Sequence, residues 1–396
     1  MIKYYIDNCK HVSLFALIIK AGSLHEQKDK RGVSHLLEHM HAFVAQNISY
    51  DSVLEPVNYA YTNFNETVYI FIKRETECDN DFIIKCQNTI GAIFDKKFLT
   101  KDFFLKIKND VLEEYKNTDF SKAICINRLF CNESYPIPIG ELHCIKNLKY
   151  DDVILHHDKY YTANNAAFVI ISNASEDFVI HSLYKKPDFD FLPFIKYISE
   201  KKNKKEDNSI WFLSKYKRSL DSVEQYVTDM LCLRLASDLL VETIHDYFGV
   251  FASGQIEILS KQWHIFKLCI NFNNPIGLSV SCYSQKQVLA NYRSPKLRFS
   301  RVSENRYKSL EQIIKNFTPA SKLFDNIKAI FLQSLNDTPQ YNDFQLLDEY
   351  INNFLFDEPV LSIDDELKYI YSSLKIINYD MVVEKFNVLL SNLVML

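Results

Sequence analysis

The apolar positions of this chain follow two rhythms, and their alternation predicts the fold class. Leu14 to Ile19 is an unbroken apolar run, the pattern of a central strand within His11–Lys20, and a shorter strand is expected at Lys3–Ile6. From Ala60 to Arg74 the apolar positions alternate around Thr67, Tyr69 and Phe71, the period of a strand with one face on a core. Helical spacing takes over in Asp79–Phe94 and Lys101–Tyr115. It resumes in Asp151–Tyr160 after the turn-forming Pro136–Gly140, then yields to a strand at Ala166–Ile171. Beyond the most polar stretch, Ser199 to Asn208, a similar order of elements follows. Strands are expected at Ser209–Ser214, Gln255–Leu259 and Trp263–Asn273, with helices at Val223–Phe248, Asn305–Phe317 and Phe344–Phe356. The expected class is α+β, in two related halves, each a mostly antiparallel sheet packed with helices.

With 396 residues the chain exceeds the size at which one core keeps growing. The polar stretch, residues 199–208, is therefore expected to link a domain of residues 1–198 to one of residues 209–396. A formal charge of -4 argues against a nucleic-acid surface, which calls for a basic face. No apolar run is long enough to span a bilayer, and the first residues carry neither an apolar signal core nor an Arg-rich presequence. Nine cysteines, an odd number with no Cys-x-x-Cys pair, fit a reducing compartment better than a disulfide framework. The expected location is the bacterial cytoplasm, with a mitochondrial or related organelle matrix as the alternative.

The stretch that carries chemistry is Arg31 to Met40, a proline-free segment that reads as a helix. His35, Glu38 and His39 stand at i, i+3 and i+4 on it, hence on one face. Two imidazoles at that spacing can hold one Zn²⁺ per chain, while the carboxylate between them hangs beside the metal, placed to take a proton from water. Leu36 and Leu37 set this polar trio in apolar surroundings, where uncompensated charge would be costly. Catalytic zinc takes three protein ligands and leaves one position open, and a carboxylate commonly completes a histidine pair. Glu113 and Glu114 both qualify, and periodicity does not choose between them. His41 lies off the metal face, and the adjacent His156-His157 reads as a surface pair.

These residues resemble the insulinase/pitrilysin zinc peptidases, especially the mitochondrial processing peptidase branch and its bacterial relatives. The resemblance runs from Ala21-Gly22-Ser23 through Gly32-Val33-Ser34-His35-Leu36-Leu37-Glu38-His39-Met40 to Val111-Leu112-Glu113-Glu114. It continues through Pro136 to Gly140, Leu148 to Asp152 and Tyr160 to Asn165. It implies that Glu114 is the third ligand and Glu38 the general base of a zinc metalloendopeptidase. It also implies that Tyr59, Ala60, Tyr61 and Thr62 form an active-site edge strand on which an extended peptide or precursor segment lies.

Two departures accompany the resemblance. Members that act alone carry a substrate-holding arginine and tyrosine in the second half, whereas the matching positions here hold Asp238, Leu239 and Ala252, with Arg234 and Tyr247 nearby. Ile107 stands where an additional acid is expected before the ligand glutamate. The first departure implies a heterodimer whose homologous partner subunit supplies the missing pair. A self-sufficient housekeeping oligopeptidase and a non-catalytic assembly scaffold of the same fold are the alternatives.

Overall fold

The computed structural model describes residues 3–7, 14–46, 55, 57–96, 99–118, 120, 126, 129–130, 135–175, 178–179, 209–217, 221–260, 262–275, 304–335 and 343–395. Strands β1 (Lys3–Asp7), β2 (Leu14–Ile19), β3 (Tyr59–Thr62), β4 (Thr67–Ile72) and β5 (Ala166–Ile171) form one sheet in the order β1-β5-β2-β4-β3. Only β1 and β5 run parallel. On one face Phe15, Leu17 and Ile19 of β2 join Tyr69, Phe71, Phe168 and Ile170 in a core. That core is closed by helices α1 (Val33–Gln46), α2 (Asp79–Phe94), α3 (Lys101–Asn117), α4 (Leu142–Asn147) and α5 (Tyr150–Tyr160). A helix from late in the sequence, Asp343–Phe356, packs on β2 and β5 and accounts for the burial of the alternate residues Leu14, Ala16 and Ile18. Cover on both faces is why β2 reads as a continuous apolar run rather than an alternating one.

The second sheet holds β6 (Ser209–Lys217), β7 (Val250–Ser260), β8 (Trp263–Pro275) and β9 (Val394–Met395) in the order β7-β8-β6-β9, all antiparallel. Its helices are α6 (Val223–Phe248), α7 (Glu304–Lys315), α8 (Ser321–Ser334), α10 (Ile363–Ile376) and α11 (Tyr379–Ser391), and Asp343–Phe356 takes the label α9. The succession β2-α1-β3-β4 recurs as β6-α6-β7-β8, and each triplet of strands has the same spatial order. The α+β class and the related halves are thus present in the connectivity.

Two compact units result, and neither is continuous in sequence. The first comprises residues 1–123, 134–202 and 341–360, and the second residues 124–133, 203–340 and 361–396. Within the first, the Tyr5 ring packs at a tilt of 35° against Tyr350 of α9, with centroids 4.8 Å apart, and its hydroxyl donates to Asn353 Oδ1 at 2.6 Å. The expected linker, residues 199–208, lies outside the described residues. Helices α4, α8, α10 and α11 were not anticipated from the sequence. No helix among the described residues is long and apolar enough to cross a membrane.

Candidate metal centre

The start of α1 is fixed from outside the helix. Glu26, in the preceding loop, accepts from Gly32 N on Oε2 and from Ser34 N on Oε1, each at 2.8 Å, and so satisfies donors of the first turn. Burial pushes the Glu26 carboxyl up to about 7, against the pull of those two N–H groups. Gly32 (φ 95°) crosses Gly140 (φ 94°) so closely that a Cβ on Gly140 would stand 2.4 Å from Gly32 Cα. Two of the chain's seven glycines meet at this crossing, which explains the Pro136–Gly140 turn. Leu36, Leu37 and Met40 are fully buried. Their side of α1 faces the core, which turns His35, Glu38 and His39 to the opposite face.

Helix α3 delivers the third donor. Thr100 caps it by accepting from Phe103 N, and Phe104, Ile107 and Val111 bury its inner stripe. Glu114 Oε2 lies 3.3 Å from His35 Nε2 and 3.0 Å from His39 Nε2. Glu113 is exposed and pairs with Lys116 Nζ at 2.5 Å, away from the histidines. The geometry therefore separates two acids that the sequence pattern left equivalent. Ile107 is buried in the core, so it brings no charge to the centre.

The donor set fits a zinc ion. The ligand atoms of His35, His39 and Glu114 all lie within 4.8 Å of one another. Tetrahedral bonds of about 2.0–2.1 Å place neighbouring ligands about 3.3 Å apart, close to the separations from Glu114 to the two histidines. The electrostatics also call for a cation. Burial disfavours charge on His35, but Glu114 and Glu38 outweigh it and raise its pKa to about 10. Burial likewise works against a charged Glu114, and His35 and His39 outweigh it and hold the carboxyl well below the usual range.

Glu38 sits beside the donors, almost wholly buried. Its Oε2 lies 3.2 Å from His35 Nδ1 and accepts from Thr62 Oγ1 at 3.3 Å. Thr62 belongs to β3, which ends the sheet, so the strand expected to receive a peptide is an edge. Along it, Tyr59 is exposed, Ala60 packs on the core and Thr62 reaches Glu38. The contact between Thr62 and Glu38 does not follow from the sequence, because it joins residues with no shared periodicity. Neither does the role of Glu26.

The surface reading of His156 and His157 is corrected by the structure, which buries both. His156 Nε2 meets Ser34 Oγ at 3.0 Å, and His157 Nε2 meets the Ile93 carbonyl at 2.9 Å. Adjacent positions do point apart, but α5 is packed on both of the sides they face. Burial drives the His156 pKa down to about 3 and lowers that of His157. His41 lies off the metal face, as expected, and is buried with Nδ1 3.0 Å from the Tyr69 hydroxyl, which in turn meets Tyr161 at 2.7 Å. Glu141, His143 and Cys144 form another donor group. Arg31 beside Glu141 at 3.7 Å counts against a cation there, and the Cys144 thiol donates to the Lys28 carbonyl.

In the second unit Leu239 and Ala252 are buried, and Asp238 pairs with Arg234 at 3.3 Å. Tyr247 is exposed and packs its ring on Phe248 and Phe317. Asp238, Leu239 and Ala252 supply neither a guanidinium nor a phenol.

Residues 4–119 match the family Insulinase (Peptidase family M16). Zinc protease PqqE of Helicobacter pylori is 26% identical over 183 residues, covering 43% of this chain and 40% of that protein. The periplasmic protease PqqL from Escherichia coli has a similar fold, with a TM-score of 0.70 at 14% identity over 99% of this chain and 46% of that one. A peptidase M16 inactive domain from Pseudomonas fluorescens aligns with a TM-score of 0.65 at 13% identity, over 100% of this chain and 94% of that one. This chain spans less than half the length of the curated relatives it matches.

Proposed function

We propose, on the premise that this chain belongs to the insulinase family of peptidases, that it is the zinc-bearing subunit of a metalloendopeptidase acting on extended peptides or precursor segments. The observation that carries the reading is the convergence of His35, His39 and Glu114 donor atoms beside Glu38, at the end of an edge strand.

In this reading His35, His39 and Glu114 hold one Zn²⁺. Bound there, zinc supplies Lewis acidity towards a scissile carbonyl and lowers the pKa of water from 15.7 to about 7. Glu38 takes the proton from the attacking water and later hands it to the leaving nitrogen. The peptide extends β3 along Tyr59, Ala60, Tyr61 and Thr62 through main-chain hydrogen bonds, which select extended backbone ahead of side-chain identity. The groups that hold substrate and complete oxyanion stabilisation come from a homologous partner half, since Asp238, Leu239 and Ala252 offer none. A reducing cytoplasm is the location that the odd number of cysteines, with no Cys-x-x-Cys pair, supports.

The scaffold reading draws on the likeness to an inactive domain, and the assembled donors weigh against it, because a scaffold needs none of them. Cleavage of an unfolded casein by the zinc-loaded chain, alone and with a homologous partner half, tests the assignment. Glu38→Gln is expected to keep zinc and lose at least about 100-fold in kcat. Full activity in that variant would refute the general-base role.

A further inference from the structure

Thr62 ends β3 directly opposite Thr67 on β4. Thr67 has a single hydroxyl hydrogen, and its Oγ1 lies 2.8 Å from the Ala21 carbonyl oxygen, to which it donates. That hydrogen is therefore unavailable at the 3.4 Å contact between the two threonine hydroxyls. The hydrogen of Thr62 has two acceptors in reach, the Thr67 oxygen and Glu38 Oε2 at 3.3 Å. A carboxylate is the stronger acceptor, so the hydrogen goes to Glu38. His35 Nδ1 reaches the same oxygen at 3.2 Å. Both contacts of the Glu38 carboxylate thus fall on Oε2, and Oε1 has no partner among the described residues.

We propose that Thr62 is a positioning residue, whose hydroxyl pins Glu38 Oε2 and leaves Oε1 turned out to exchange protons with water and the leaving nitrogen. The proposal rests on the reading of Glu38 as general base. It adds a coupling that reading lacks. One residue supplies both main-chain groups of the peptide-receiving strand and the side chain that orients the base, so a peptide out of register on β3 disturbs the carboxylate as well.

Two substitutions separate the hydroxyl from the strand. Thr62→Val keeps the β-branched shape that suits a strand and removes the hydroxyl, while Thr62→Ser keeps the hydroxyl. Crystal structures of both variants with zinc bound give a readout independent of activity. Both are expected to hold zinc at wild-type stoichiometry. Glu38 leaves its wild-type rotamer in Thr62→Val and keeps it in Thr62→Ser. In casein cleavage, with the partner half added where wild type needs it, kcat of Thr62→Val is expected to fall about tenfold, part of the 10²–10⁴ a general base contributes. KM stays within about twofold, because strand pairing uses main-chain groups, and Thr62→Ser recovers to within about threefold. A Thr62→Val protein with wild-type Glu38 orientation and kcat would overturn the proposal, as would a Thr62→Ser protein equally impaired. A fully active Glu38→Gln would sink the general-base reading instead, while the crystal structures would still decide whether Thr62 orients the carboxylate.

Discussion

Replacing Gly140 by alanine probes the crossing that sets the start of helix α1. At φ 94° a Cβ costs roughly 1–2 kcal/mol in backbone strain. The new Cβ would also stand 2.4 Å from Gly32 Cα, 2.6 Å from Gly32 N and 2.7 Å from Arg31 O, all backbone atoms with no rotamer to yield. Restoring contacts of about 3.5 Å requires roughly 1 Å of movement where α1 begins, and overpacking of this kind costs about 1–3 kcal/mol. A total of about 2–5 kcal/mol lowers the melting temperature by on the order of 10 °C for a unit of this size. The displacement acts three or four residues before His35, so zinc affinity should fall about tenfold along with stability. Thermal melts by circular dichroism and zinc titration against a chromophoric chelator read the two effects. A Gly140→Ala protein that melts within about 2 °C of wild type and binds zinc as tightly would show that the crossing does not constrain α1 as its geometry requires.

Glu66, buried in the turn between β3 and β4, has its carboxyl pushed up to about 7 by burial, against hydrogen bonds from Asn63 and the Asn65 backbone. A folded value above the unfolded one means the native chain holds the proton more tightly. This contribution to stability is therefore complete below the ordinary carboxyl value of 4.5 and is lost as pH rises through about 7. In urea titrations Glu66→Gln should remove up to about 3 kcal/mol of the decline between about pH 5 and 8, and an unchanged slope would contradict the assignment. In the second unit Lys385 Nζ lies 2.6 Å from Asp229 Oδ1 and also meets the Tyr216 hydroxyl. Lys385→Met leaves Asp229 without its cation and should cost about 3 kcal/mol by urea denaturation, with zinc content unchanged.

Helix α1 and the shared face of its polar residues were legible because the pattern is local. His35, Glu38 and His39 lie within two turns, and the burial of Leu36 and Leu37 could be inferred from the same residues. The strand at Leu14–Ile19 was legible for a similar reason, although its cover on the far face by Asp343–Phe356 was not. That packing joins residues far apart in sequence, and no local pattern encodes it. Glu113 and Glu114 were inseparable by periodicity because a helix near its end presents both to solvent, and only the position of α1 distinguishes them. His156 and His157 were misread for the same kind of reason, since adjacent helix positions share a buried fate only where both sides of the helix are packed. Helices α10 and α11 do carry a local signal in the sequence. Ser362 and Asn378 cap them by accepting from Asp365 N and Met381 N.

The most direct test of the account is zinc stoichiometry of the purified chain by elemental analysis, with Glu114→Gln beside Glu113→Gln. The two acids are neighbours in sequence, but only Glu114 faces His35 and His39. The account predicts about one zinc per chain in wild type and in Glu113→Gln, and a loss of at least about tenfold in affinity in Glu114→Gln. Absence of zinc from metal-replete wild type, or equal retention in both variants, would contradict it.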